Sequence, residues 1–193
     1  MATKVIELVN NGTLSVEKKY GMTYKEFAKD HLFASKPVVI GDACKDWKAK
    51  DKFTPDFFKS EYGSRKVKVQ GKHYKLEDFI DLMENATIEN PAPYPCKLQI
   101  DRDYPELLPD ISPRFKFSMP DWCHNILVKP FLLSAETYEI FFGSPGGQFP
   151  YVHYDYMGLH AFITQIYGVK EFTVIPPDQT PYVYPVKYNT WVS

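Results

Sequence analysis

The chain has 193 residues, 44% hydrophobic and 24% charged. That excludes a disordered polar segment and suits one domain with its own core, because a chain of this size buries roughly 70% of its unfolded surface. Lys plus Arg number 23 against 24 Asp plus Glu, so the net charge of -1 gives no overall pull toward nucleic acid or an anionic membrane, and neither is expected as a partner.

No window approaches the roughly 18 consecutive apolar residues of a membrane span, and Met1 to Glu7 lacks the apolar run of a signal peptide. The expectation is a soluble, intracellular, cytoplasmic protein. Cys44, Cys96 and Cys123 are odd in number and scattered without CxxC spacing. They read as reduced, packed thiols, not as a disulfide framework or a thiolate metal site. With 14 Tyr, 14 Phe and 16 Pro against 10 Gly, the composition favours short, half-buried strands. The expected class is mostly β with peripheral N-terminal helices.

In chain order, Thr23 with Glu26 forms a capping box that predicts a helix over Tyr24, Phe27, Ala28 and Leu32. Lys36-Pro37-Val38-Val39-Ile40 reads as a strand. Thr54-Pro55-Asp56 is an N-cap, a first-turn Pro and an acidic first turn ahead of Phe57 and Phe58. The alternation in Lys66-Val67-Lys68-Val69-Gln70 predicts a second strand, and Leu76 to Met83 carries apolar residues at helical spacing.

From Asn90 to Pro130 the prolines are dense enough to predict a crossing segment through which no helix runs, with one short strand over Lys97-Leu98-Gln99-Ile100. Further strands are expected at Phe131–Leu133, Thr137–Phe142, Ala161–Ile166 and Glu171–Ile175, the last two joined at Tyr167-Gly168-Val169 as a hairpin. Neither a repeat nor a flexible linker interrupts the chain, so residues 1–193 read as a single domain. Residues 1–130 hold the helices and first strands, and residues 131–193 are plainly β.

The stretch from Gly143 to Asp155 carries the chemistry. If Tyr151 to Asp155 is extended, His153 and Asp155 project from the same face. An imidazole and a carboxylate so placed begin a metal site of the 2-His-1-carboxylate kind used by non-haem Fe(II) oxygenases. A His-x-Asp triplet arises by chance in about one chain in three of this composition, so a polar surface pair is the competing reading. The hairpin that follows delivers Gln165 and Lys170. Lys170 shares an i, i+2 register with Phe172 and Val174. Facing inward, its ammonium would need an anion such as a dicarboxylic cosubstrate; at a hairpin end it would simply extend into solvent.

The run His153-Tyr154-Asp155, Gln165-Ile166-Tyr167-Gly168-Val169-Lys170, Pro176-Pro177-Asp178-Gln179 and Tyr184-Pro185 resembles the JmjC/cupin-like family, and within it the asparaginyl hydroxylases of hypoxia-inducible factor. Lys36 to Ile40 resembles the family's first core strand. The resemblance implies a double-stranded β-helix, or jelly roll, incomplete at its C-terminus, that binds Fe(II) and 2-oxoglutarate. His153 and Asp155 match the first two metal ligands and thus the catalytic centre. Lys170 matches the Lys that pairs with the distal carboxylate of 2-oxoglutarate, and Gln165 a residue lining that pocket.

The implied substrate is a protein or peptide side chain, and a homodimer fits the same picture. Phe149-Pro150 stands where the family has Thr-Pro, Asp155 and Gln165 are spaced two residues wider, and no Asn lies near Ala161. Lys97 stands where the hydroxylase has a Tyr. No His follows His160, so the second metal His is expected beyond residue 193. The rival expectation is a non-catalytic cupin-like binding protein that keeps the fold without the metal.

Overall fold

The computed structural model describes residues 15–115, 117–118, 138–149, 152–153, 155 and 160–179, which fall into two units, Met1–Ala43 with Gly168–Ser193, and Cys44–Tyr167. The first unit runs β1 (Lys18–Lys19), α1 (Tyr24–Phe27), a π-helical turn (Ala28–Leu32) and β2 (Val39–Ile40). The capping box places α1 where expected. Thr23 Oγ1 accepts from the Glu26 N–H at 3.2 Å, and Glu26 Oε2 accepts from the Thr23 N–H at 2.8 Å. Donation to Glu26 Oε2 by the Thr23 N–H, and by the Thr23 hydroxyl at 2.7 Å, holds the Glu26 carboxyl below its ordinary range.

Strands β1 and β2 pair in parallel, Lys18 opposite Val39 and Lys19 opposite Ile40. Only the end of the expected 36–40 strand joins this ladder, and two consecutive lysines gave β1 no alternation to reveal it. Gly21, at φ 61, bends the chain after β1 and donates its N–H to Asp42 Oδ2 at 2.8 Å. A positive φ here suits Gly because it has no Cβ to clash.

The larger unit holds α2 (Ala49–Lys52), α3 (Pro55–Tyr62), β3 (Lys66–Val69), β4 (Lys72–Lys75), α4 (Leu76–Glu84), β5 (Cys96–Gln99), α5 (Ile100–Asp103), a 3-10 helix (Pro105–Ile111) and β6 (Glu139–Phe142). Thr54 Oγ1 accepts from the Phe57 N–H at 3.2 Å and Pro55 occupies the first helical turn. Such a cap is worth about 1 kcal/mol. Phe58 of α3 and Leu76, Phe79 and Ile80 of α4 are fully buried. Each side chain so buried contributes about 1.5–3 kcal/mol.

β3 and β4 form an antiparallel hairpin with Val67 opposite Tyr74 and Val69 opposite Lys72. The connection is Gln70-Gly71, both at positive φ (46 and 82), the handedness that matches the twist of two strands joined by two residues. His73 therefore sits on β4. β5 and β6 pair antiparallel with Leu98 opposite Ile140. Across them Lys97 Nζ meets Glu139 Oε1 at 2.9 Å.

Arg65 ties the C-terminus of α3 to the segment after β5. Its guanidinium lies 4.4 Å from the centroid of Tyr104 and 5.0 Å from that of Tyr62, and Nη2 reaches Glu106 Oε1 at 3.2 Å. Trp47 Nε1 donates to the Pro113 carbonyl at 2.7 Å. Buried Asp110 is held by Lys52 Nζ at 2.6 Å.

Two expectations are corrected and a third is not confirmed. The Pro-rich segment does carry helix: α5 and the 3-10 helix run from Ile100 to Ile111 apart from Tyr104, with Pro105 at the start and Pro109 inside. A 3-10 turn is short enough to absorb a missing N–H. A mostly-β class is not confirmed by the described residues, whose strands form three two-stranded sheets and are outnumbered by helical residues.

Finally, 161–166 and 171–175 form no ladder with described residues. Their aromatic and β-branched side chains suit a strand, but a strand exists only when a partner backbone takes its hydrogen bonds. The alternation is still used: Phe162 packs edge-on to Phe115 at 5.0 Å, Thr164 Oγ1 lies 3.5 Å from Cys44 Sγ, and Ile166 packs on the core. The expected strand at 131–133 lies outside the described residues. Among the described residues no helix is long and apolar enough to cross a membrane.

Cys96 and Cys44 are free thiols, the first fully buried and the second half-buried. Burial pushes Cys96 from 9.0 up to about 12. The folded state thus keeps its proton where the unfolded chain has lost it, so Cys96 costs nothing below about pH 9 and destabilises progressively as pH rises from 9 toward 12. In native protein at pH 8, iodoacetamide followed by peptide mapping should leave Cys96 unmodified, and denaturant should expose it. Rapid native labelling would contradict this burial.

Candidate functional site

The loop that leads to the His-x-Asp motif is built on Tyr94. Gly143 follows β6 so closely against this ring that a Cβ there would lie 2.9 Å from Tyr94 Cε2. Ser144 Oγ accepts the Ala92 N–H at 2.9 Å, and the Gly147 N–H closes a turn onto the Ser144 carbonyl at 3.0 Å. Gly146, at φ 72, passes against the backbone of Ile88. The glycines thus let the chain reverse over Ile88 to Tyr94, which is why the run is Gly-rich.

The loop ends on a column of rings. Phe149 meets buried Tyr94 edge-on, centroids 5.2 Å apart, and His153 meets Phe149 edge-on at 4.9 Å. Edge-to-face rings at this separation are attractive. Phe149 stands where the resemblance expected Thr-Pro, and it contacts the motif's imidazole.

The expected strand over Tyr151–Asp155 is not seen in its described residues. His153 and Asp155 are exposed and irregular, and Tyr151 and Tyr154 lie outside the described set. Gln165 is exposed, and its Nε2 donates to the Tyr167 carbonyl at 2.7 Å, bracing the bend before Gly168. Lys170 is partly buried, its Nζ 5.1 Å from the Phe172 centroid. The i, i+2 relation read from the sequence is therefore a real contact, although Phe172 and Val174 are exposed and the segment is no strand. His160 is exposed.

Lys97, read as a replacement for a cosubstrate-contacting Tyr, pairs with Glu139 and lies 5.6 Å from the Phe141 ring. The ring column was not foreseen. Its signal was the aromatic at 149 ahead of a histidine, but the partner Tyr94 is remote in sequence.

The sequence matches the cupin-like domain over residues 24–192. The chain belongs to the cupin-like domain family. Membership carries the jelly-roll fold, of the JmjC type, although the described residues contribute only small sheets to it. The chain is also 27% identical over 172 residues to a protein named lysine-specific demethylase JMJ21 from Arabidopsis thaliana, covering 86% of this chain and 18% of that protein. The chain thus spans less than a fifth of that relative's length.

The donor chemistry at the motif, one imidazole and one carboxylate a single residue apart, suits a non-haem iron site. The fit is incomplete, since no group of three His, Cys, Asp or Glu able to hold a metal occurs among the described residues. Two candidate donors on an exposed segment do not by themselves make such a site.

Proposed function

We propose that this domain is an Fe(II)- and 2-oxoglutarate-dependent oxygenase of the JmjC type that hydroxylates a side chain of a protein or peptide, in the manner of the asparaginyl hydroxylases of hypoxia-inducible factor. His153 and Asp155 bind the iron, and a third donor comes from outside the described residues. Lys170 holds the distal carboxylate of 2-oxoglutarate, and Gln165 lines the cosubstrate pocket. When bound, iron with 2-oxoglutarate supplies the oxidising power for a C–H bond; the protein's part is to place the cosubstrate and the target and to exclude water. The reading is carried by the His-x-Asp pair and the downstream Lys170 falling inside the single stretch, 24–192, that matches the family.

The demethylase name of the relative is a neighbouring possibility within the same chemistry. Hydroxylation is preferred on the likeness of His153-Tyr154-Asp155 and of the run Gln165 to Lys170 to the asparaginyl hydroxylases. The rival is a binding protein without turnover, favoured by Phe149 occupying the place of the family's Thr and packing on His153.

Succinate released from 2-oxoglutarate by the full-length protein with Fe(II) distinguishes them. Succinate should accumulate with wild type and fall to background with His153→Ala. Equal release from both would overturn the assignment of His153. Binding of 2-oxoglutarate by wild type without any succinate would identify the binder.

A further inference from the structure

The hairpin of β3 and β4 carries an arrangement that folding alone disfavours. Residues 66–75 read Lys-Val-Lys-Val-Gln-Gly-Lys-His-Tyr-Lys, with four lysines and no acid. In the register of the ladder, Lys66 lies directly opposite Lys75 and Lys68 directly opposite His73. The Leu76 N–H bonds the Arg65 carbonyl at 2.8 Å, and bonded pairs alternate along an antiparallel ladder. The Lys66/Lys75 and Lys68/His73 pairs are therefore the non-bonded kind, whose side chains approach most closely. Like charges so placed repel.

Compensation is sparse. Lys75 Nζ meets Glu77 Oε1 at 3.1 Å, whereas Lys66, Lys68 and Lys72 have no ion pair among the described residues. Lys66, Lys68, His73 and Lys75 are exposed on one face, while the other face buries Val67 and Val69 and carries the exposed Lys72 at its end.

The same alternation turns the backbone N–H and C=O of His73, and the N–H of Lys75, away from β3. No described residue takes these groups. An open hollow of about 440 Å³ is lined by Lys66, His73, Tyr74, Lys75 and Asp78. Lysine on an edge strand also serves to block self-association, which accounts for Lys72 and Lys75. Both strands of this two-stranded sheet are edges, yet blocking an edge does not call for lysine opposite lysine or lysine opposite histidine across the ladder, as at Lys66/Lys75 and Lys68/His73.

We propose that the outer face and free edge of this hairpin dock an extended acidic peptide segment of a protein partner, which adds to β4 as a strand and sets its carboxylates among Lys66, Lys68 and Lys75. Strand addition supplies affinity through main-chain bonds, and the lysines supply the choice of sequence. A second copy of this hairpin would oppose lysine to lysine. Nucleic acid would match the charge and leave the strand-edge donors without a use. The inference stands on the hairpin alone and is independent of the oxygenase reading.

The test is fluorescence anisotropy of the full chain with a labelled octapeptide of alternating Glu and Val, against three comparisons: the Lys-Val counterpart, the acidic peptide N-methylated at alternate residues, and an oligothymidylate of equal charge. Wild type should bind the acidic peptide, with affinity falling as salt rises. The double variant Lys66→Glu/Lys68→Glu, checked for its fold by circular dichroism, should bind about tenfold or more weakly. N-methylation should weaken binding to wild type by a similar factor. Absent binding, equal binding of the Lys-Val peptide, or indifference to the double variant would overturn the proposal. Indifference to N-methylation would overturn strand addition, and tighter binding of the oligothymidylate would assign the face to nucleic acid instead.

Discussion

Phe58→Ala should lower the free energy of unfolding by about 3–5 kcal/mol. Phe58 is only 2% exposed and sits at the meeting point of α3 and β6. Its ring packs edge-on to Phe142 at 5.0 Å, Phe53 at 5.3 Å and Phe57 at 5.1 Å. Rings are stiff and cannot flow into the space left behind, so the substitution forfeits the transfer term and leaves a cavity as well.

Phe57, its neighbour, is only partly buried and should cost distinctly less when cut to Ala. Both are measured by urea denaturation with the m-value compared. A loss below about 1 kcal/mol at Phe58 with unchanged m would mean that α3 is not held to β6 through this ring. A loss this large is a sizeable fraction of the stability of an ordinary domain, so low expression of the variant is part of the same expectation.

Local signals were legible where a few adjacent residues settle the structure. Thr23 with Glu26, and Thr54 with Pro55, fixed two helix starts because a cap is satisfied within one turn. Val67 and Val69 announced β3 by alternation and are buried. β4 was missed because Lys72, His73 and Lys75 are exposed and their strand character is imposed by the Gln70-Gly71 turn and by pairing with β3. In the same way β1 exists only because β2 lies beside it.

Phe162, Thr164 and Ile166 make side-chain contacts, but the strand expected over 161–166 depends on a partner backbone elsewhere in the chain. The candidate site follows this division. His153 and Asp155 could be named from their spacing and from the resemblance. The Tyr94–Phe149–His153 column required the chain to bring residue 94 to residue 149, which no local pattern encodes.

Gly146→Ala tests whether that column is held by the loop's backbone, and it should cost about 2–4 kcal/mol. Two effects combine. Gly146 has φ 72, a region where a Cβ costs about 1–2 kcal/mol. The new Cβ would also lie 2.6 Å from the carbonyl oxygen and 3.0 Å from Cα of Ile88, both backbone atoms that cannot rotate aside. Gly71 separates the two effects, since it has φ 82 with nothing within 4 Å of its would-be Cβ; Gly71→Ala should show the conformational cost alone.

The difference between the variants is then the cost of pushing the loop off Ile88. Because Phe149 rides on this loop and His153 packs on Phe149, Gly146→Ala should also shift the ring resonances of His153 in an NMR spectrum, whereas Gly71→Ala should leave them in place. Equal losses of stability at the two positions, with His153 unmoved in both, would show that the approach to Ile88 does not set the position of the imidazole.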